Sequence, residues 1–218
     1  MTESQIMVIT GTSRGIGRGL AEHFCRKGYR VVGCSRSAAT VEHPNYHHSQ
    51  VDVTDEKQVQ SWVRMIRTEF GKADVLVCNV GLVKSSLLTA MTPGKLLEEF
   101  LHTNISATFY VCREISKLMV LKRQGRIVNI ASIMANLHEP GTSAYASTKA
   151  AVIEFSKVLA KEVAPTGVTC NVLSPSLVET ESSNDFGADW KARMLEMQTI
   201  KRLATIEELA HSIQFFAA

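Results

Sequence analysis

Two kinds of stretch alternate along the chain. Short runs rich in apolar and β-branched residues, IMVIT, YRVVGCS, HSQVDV, ADVLVCNVG, GRIVNIAS and GVTCNVLSP, read as strands. Between them lie stretches with apolar residues recurring every three or four positions. The first, GIGRGLAEHFCRKG, places Ile16, Leu20, Ala21 and Phe24 on one side. Then come DEKQVQSWVRMIRTEFG, PGKLLEEFLHTNISATFYVCREISKLMVLKRQG and SAYASTKAAVIEFSKVLAKEVAP, each closed by Gly or Pro. This βαβαβ rhythm predicts an α/β fold, a doubly wound parallel sheet between two helical layers, as a single domain over residues 1–218. The segment from Ser37 to Tyr46 is short and lacks helical periodicity, so no full crossover helix is expected between the second and third strands. The final stretch, TIEELAHSIQFFAA, opens with a capping box of Thr205 and Glu208 and is apolar at Leu209, Ile213 and Phe216.

Composition narrows the function. With 218 residues, 45% of them hydrophobic and 21% charged, the chain has the make-up of one globular domain with a sizeable core. The formal charge of +3 comes from scattered Lys and Arg, with no basic run interleaved with aromatics, so no nucleic-acid partner is expected. No apolar stretch approaches the ~18 residues of a membrane span, and no signal-peptide pattern precedes the first strand, so the expected location is cytoplasmic. The five cysteines are odd in number and widely separated inside predicted elements, as reduced core residues would be. His47 and His48 are adjacent, but no second cluster lies at a metal-ligand spacing, and no metal is expected.

Candidate chemistry begins at TGTSRGIG, residues 10–17, between the first strand and first helix. There Gly11, Gly15 and Gly17 would let backbone approach a pyrophosphate at a helix N-terminus, although the same spacing also suits a plain tight turn. The motif YASTK decides between the two. It puts Tyr145 and Lys149 at i and i+4 on one helix face, where a cation can favour the phenolate of a side chain that otherwise titrates near ~10. Ser132 ends the strand GRIVNIAS at the carboxyl edge of the sheet, where open α/β folds bind ligands, and its hydroxyl could meet the phenol over a substrate oxygen.

With these residues in place, the chain resembles the short-chain dehydrogenase/reductase (SDR) family in its classical form, from about residue 5 to the last. The matching pieces, in order, are TGTSRGIG, VDVTD, CNVG, Asn104 in HTNISATF, Ser132 in NIAS, YASTK and SPSLVET. The resemblance implies a Rossmann-type fold and hydride transfer between a nicotinamide cofactor and a carbonyl or alcohol. Its catalytic four would be Asn104, Ser132, Tyr145 and Lys149. Ser132 would hold the carbonyl oxygen, Tyr145 would protonate it, Lys149 would lower the phenol pKa and bind the ribose, and Asn104 would break its helix and hold a water. Cofactor contacts carry over to Gly11, Ser13, Arg14, Gly15, Ile16, Gly17, Asp52, Val53, Asn79, Gly81, Tyr145 and Lys149, with Pro175, Val178 and Thr180 near the carboxamide. Asp52 would accept the adenine amino hydrogen. The family's usual Asn and Ala are replaced by Cys78 and Val80. Ser176 stands where Gly is usual, which would strain a backbone of positive φ. The family's seventh strand and Gly-rich tail are missing from the sequence, so the expectation is a chain that is truncated or has a disordered C-terminal tail, and one ending at Ala218 would leave the sixth strand bare and be aggregation-prone or short of a tetramer.

Cofactor choice turns on VVGCSRS. No Asp or Glu lies between Arg30 and Val41 to hold the adenine-ribose hydroxyls, whereas Ser35, Arg36 and Arg14 would converge on a 2′-phosphate. The expectation is NADP(H). The substrate would be a small carbonyl or secondary alcohol, most simply a ketone reduced with NADPH. A 3-oxoacyl-acyl-carrier-protein reductase is the alternative within enzymes, with Arg123 available for docking a carrier but Thr166 at the site of a second Arg. A cofactor-binding sensor or scaffold is the alternative outside them. Residues 181–200 read as a lid, with Phe186, Trp190, Met194 and Met197 as candidate pocket residues. By resemblance, a homodimer or homotetramer would form through the helices starting near Pro93 and Ser143, where Ala107, Ala150 and Ala151 permit close approach.

Overall fold

A computed structural model describes residues 4–84, 87–181 and 187–218. Six parallel strands lie in the order β3-β2-β1-β4-β5-β6: β1 (Ile6–Thr10), β2 (Arg30–Ser35), β3 (Tyr46–Gln50), β4 (Val75–Cys78), β5 (Gly125–Ile130) and β6 (Val168–Leu173). The order reverses between β1 and β4, which opens a crevice at the carboxyl ends of the central strands. No helix joins β2 to β3, as the missing periodicity implied.

The strand alternation sorts side chains into two cores. Ile6, Val8, Leu76 and Ile127 face one side, where α2 (Glu56–Phe70), α4 (Ala107–Lys122) and α6 (Ser143–Val163) cover them with Trp62, Ile66, Ile115 and Leu159. Met7, Ile9, Val77 and Val128 face the other, under Leu20 and Phe24 of α1 (Gly15–Arg26) and Leu209 and Ile213 of α8 (Ile206–Ala217). These are the three αβα layers of a Rossmann-type fold. The capping box forms at Thr205 and Glu208 as the sequence indicates. All five cysteines are free thiols and buried.

The third strand departs from the pattern. The expectation was HSQVDV, but pairing with β2 covers Tyr46–Gln50. This is an edge strand with no aliphatic residue, so its polar side chains hid it. Val51 and Val53 lie just beyond, buried under α2. The long stretch after Pro93 is also divided. A short helix, α3 (Gly94–Phe100), runs through a π-helical turn at Leu101–Ser106 into α4, and a four-residue helix, α5 (Met134–Leu137), follows β5. No helix of the described residues is long and apolar enough to cross a membrane.

Candidate active site

The glycine loop leaves β1 beside Thr10. Gly11 and Gly15 have φ of 75° and 56°, which only Gly adopts without strain. At Gly17 crowding is the reason: a Cβ would fall 2.2 Å from the Gly11 carbonyl oxygen and 2.5 Å from Asn79 Nδ2. Across the crevice, Asn79 N and Val80 N both donate to Thr10 Oγ1, at 3.0 and 3.1 Å, while Asn79 Nδ2 donates to Thr10 O at 3.0 Å. Thr10 thus ties the loop after β4 to the glycine loop. Its signal was a polar residue closing an apolar strand, which the motif comparison passed over. The first turn of α1 carries no side-chain cap and no acidic residue, so its N–H groups and positive dipole end are open toward the crevice. A bare backbone cradle and an uncapped helix fit a dinucleotide pyrophosphate.

Arg14 and Arg36 are both exposed, and among the described residues neither pairs with a carboxylate. The Ser13 carbonyl accepts from the Thr40 hydroxyl at 2.8 Å, joining the glycine loop to the loop after β2. Ser35 is buried and its hydroxyl donates to Ser37 O at 2.9 Å, so it is engaged within its own loop. Asp52 takes the amide and hydroxyl of Thr54 on one carboxylate oxygen, at 2.9 and 2.7 Å, so it shapes its own turn before α2. Ile16 and Val53 serve packing, Ile16 against the α1/α8 core and Val53 within the opposite one.

Ser132, at the end of β5, and Tyr145 and Lys149, on α6, come together at the carboxyl edge of the sheet. Burial raises the Tyr145 phenol above its ordinary pKa, and a hydrogen bond with Ser132 offsets part of the rise. Lys149 is 4% exposed, and burial pushes it down to about 8. Its Nζ donates to Ile130 O at 2.9 Å and lies 5.9 Å from the Tyr145 ring centroid. Desolvation is the larger influence on the phenol. Gly81 lies over the ammonium, where a Cβ would be 3.1 Å from Nζ.

Asn104 is fully buried within the π turn, where the helix does break its regular pattern. Its Oδ1 accepts from Leu82 N at 2.6 Å, and its Nδ2 donates to Leu82 O at 3.2 Å and to Thr148 Oγ1 at 2.9 Å. The side chain locks the loop after β4 against α6, one residue from Lys149. Thr148 was not recognised from sequence, since its partner is far away in the chain.

Beside Tyr145 a cleft of about 460 Å³, open to solvent, is lined by Leu87, Leu96, Phe100, Met134 and Trp190. At its mouth the Lys84 ammonium pairs with Glu99. Of the expected lid residues, Trp190 on α7 (Ala188–Glu196) reaches the cleft. Met194 is instead buried, Met197 is 47% exposed, and Phe186 lies outside the described residues. The α7 helix is fastened by an ion pair from Arg193 to Glu139 at 2.5 Å. Pro175 O accepts from Ile133 N at 3.0 Å, and Val178 bridges to Ala204, holding the segment through Thr180 beside the crevice. The strain expected at Ser176 is not there: among the described residues the positive-φ residues other than Gly are Arg123 and His138. Ser176 Oγ is buried and has no hydrogen-bond partner among the described residues. Cys78 packs as a small apolar residue, its Sγ 3.6 Å from that of Cys112.

A site of this build belongs to the oxidoreductases that work on a bound dinucleotide. The family model for short chain dehydrogenase matches residues 5–191, and the chain belongs to that family. Among curated relatives, the 3-oxoacyl-[acyl-carrier-protein] reductase FabG of Escherichia coli is 34% identical over 222 residues, covering 99% of this chain and 91% of the relative. Among solved structures, ElxO with NADP bound superimposes with a TM-score of 0.91 at 31% identity, covering 99% of this chain and 92% of that one. The ligand-free aldohexose dehydrogenase of Thermoplasma acidophilum gives 0.89 at 26% identity, covering 99% and 88%.

Proposed function

We propose that this chain is an NADP(H)-dependent reductase of ketones and related carbonyls. The observation that carries the reading is the Tyr145 phenol lining an apolar cleft, with the buried Lys149 ammonium 5.9 Å from its ring. When bound, the nicotinamide supplies or takes up the hydride. The protein's own groups do the rest. Ser132 Oγ and the Tyr145 hydroxyl hold the carbonyl oxygen, and Tyr145 gives its proton to that oxygen as negative charge develops. The phenol is held in its neutral form by burial, the form that has a proton to donate. Lys149, a cation below about 8, stabilises the phenolate left behind and faces the ribose. Asn104 fixes the loop that covers this ammonium.

The cofactor is NADP(H), held by the glycine loop, the α1 N-terminus, Asn79 and Gly81, with Arg14 and Arg36 as the unneutralised guanidiniums for its 2′-phosphate. Five buried thiols, none bonded to another, suit a reducing cytoplasm. Dimerisation uses the outer faces of α4 and α6, where Phe109 is 43% and Val158 56% exposed. A second reading, a 3-oxoacyl-acyl-carrier-protein reductase, is favoured by the FabG relatives. Arg123 donates to Pro165 O at 3.2 Å, which draws it toward the α6–β6 turn. NADPH oxidation with small ketones, diketones and acyl-carrier-protein 3-oxo thioesters separates the two: turnover confined to the carrier-bound substrate establishes the second reading, and no turnover with any of them refutes both.

A further inference from the structure

The clamp residue Arg36 has no side-chain partner among the described residues, so its position is set by its backbone. That backbone is held from β3. Tyr46, His48 and Gln50 alternate along the strand onto the same face, and all three are polar where an interior-facing row would ordinarily be aliphatic. Gln50 Nε2 donates to Arg36 O at 2.8 Å. His48 Nε2 lies 2.9 Å from Ser37 O, and since a carbonyl only accepts, that nitrogen carries the proton. His48 Nδ1 then accepts from the Tyr46 hydroxyl at 2.9 Å. The phenol oxygen in turn lies 2.7 Å from Thr12 Oγ1, in the glycine loop. Gly33 makes room for this crossing, since a Cβ there would lie 2.4 Å from the Tyr46 hydroxyl.

We propose that His48 and Gln50 are positioning residues for NADP(H) selectivity, gripping two successive carbonyls so that Arg36 emerges facing Arg14. The strand thereby acts on the 2′-phosphate without touching it. Register makes the arrangement specific, because Ser35 pairs with Gln50 and Gly33 with His48, placing both side chains beside the loop rather than under the sheet. The Thr12 end of the relay links the same strand to the glycine loop, so the two arginine-bearing loops share one support.

This inference rests on Arg36 binding the 2′-phosphate, and the test separates the two claims. Dissociation constants for NADPH and for NADH are measured by fluorescence titration on the full chain for Arg36→Ala, His48→Ala, His48→Gln, Gln50→Ala and the double variant Arg36→Ala/His48→Ala. His48→Ala should weaken NADPH about tenfold and NADH less than about twofold, the loss of one positioned charge-assisted contact. His48→Gln, whose amide can still donate to Ser37 O, should recover most of the loss. The double variant should be no worse than Arg36→Ala alone. Gln50→Ala removes only an exposed side chain, so a lowered NADPH preference there supports the inference even where His48→Ala folds poorly. If Arg36→Ala erases the preference while His48→Ala and Gln50→Ala leave it intact, the positioning role is wrong and the clamp stands. Equal weakening of both cofactors by His48→Ala and Gln50→Ala also overturns it. A preference that survives Arg36→Ala overturns the clamp, and the positioning role with it.

Discussion

Replacing Lys149 with Met should destroy activity and make the protein more stable. The ammonium is 4% exposed, and burial holds its pKa at about 8 against an ordinary 10.5. At ~1.4 kcal/mol per pKa unit, folding with this group charged costs roughly 3 kcal/mol at neutral pH. Met has similar length and no charge. It forfeits the bond to Ile130 O, a net contribution of about 1 kcal/mol. The variant should therefore gain about 2 kcal/mol at pH 7, which for a chain of this size raises Tm by roughly 4–8 °C. The pH dependence carries the sign. A depressed lysine pKa means that the unfolded chain binds more protons between about 8 and 10.5, so wild-type stability rises across that window as pH rises, while below 8 the penalty is present in full. Thermal unfolding by circular dichroism at pH 7 and pH 10, wild type beside variant, should show a gap that narrows at the higher pH. A variant less stable than wild type at pH 7, with a difference that does not change with pH, refutes the reasoning.

Other perturbations have equally definite outcomes. Gly17→Ala forces a Cβ to within 2.2 Å of the Gly11 carbonyl oxygen; it should cost about 3 kcal/mol in urea unfolding and abolish the stabilisation that NADPH confers on the wild type. Arg193→Gln breaks the ion pair to Glu139 that fastens α7, so KM for the carbonyl substrate should rise about fivefold with kcat nearly unchanged, and the Arg193→Glu/Glu139→Arg exchange should recover it in steady-state assays. His138→Gly relieves a left-handed residue of φ 54° and should raise stability by about 1 kcal/mol in chemical unfolding.

The central strands, the glycine loop and α6 were legible because each obeys a local rule: continuous apolar runs for buried parallel strands, Gly where φ is positive, and a four-residue spacing that places Tyr145 and Lys149 on one helix face. The absence of a helix between β2 and β3 followed from the same logic. What escaped was whatever depends on distant partners. Nothing local marks Tyr46–Gln50 as a strand, since its residues are chosen to hold the loop bearing Arg36 rather than to fill a core. Asn104 was found by its motif, but its role as a lock between Leu82 and Thr148 needs contacts spanning 22 and 44 residues. The lid failed at Met197 because an apolar spacing on a short surface helix does not say which side meets the cleft. Ser176 was misjudged because the segment after β6 follows a path that spares it a positive φ.

The most direct test of the account is Tyr145→Phe, which removes one hydroxyl and leaves the ring packed against Phe100, 6.0 Å away between centroids. With NADPH and a ketone substrate of the wild type, kcat should fall at least ~10²-fold, the contribution of a positioned acid. Affinity for NADPH, titrated on the same preparation, should change by less than about threefold. Turnover within about tenfold of wild type, in protein freed of contaminating reductases, would contradict the assignment of Tyr145 as the proton donor.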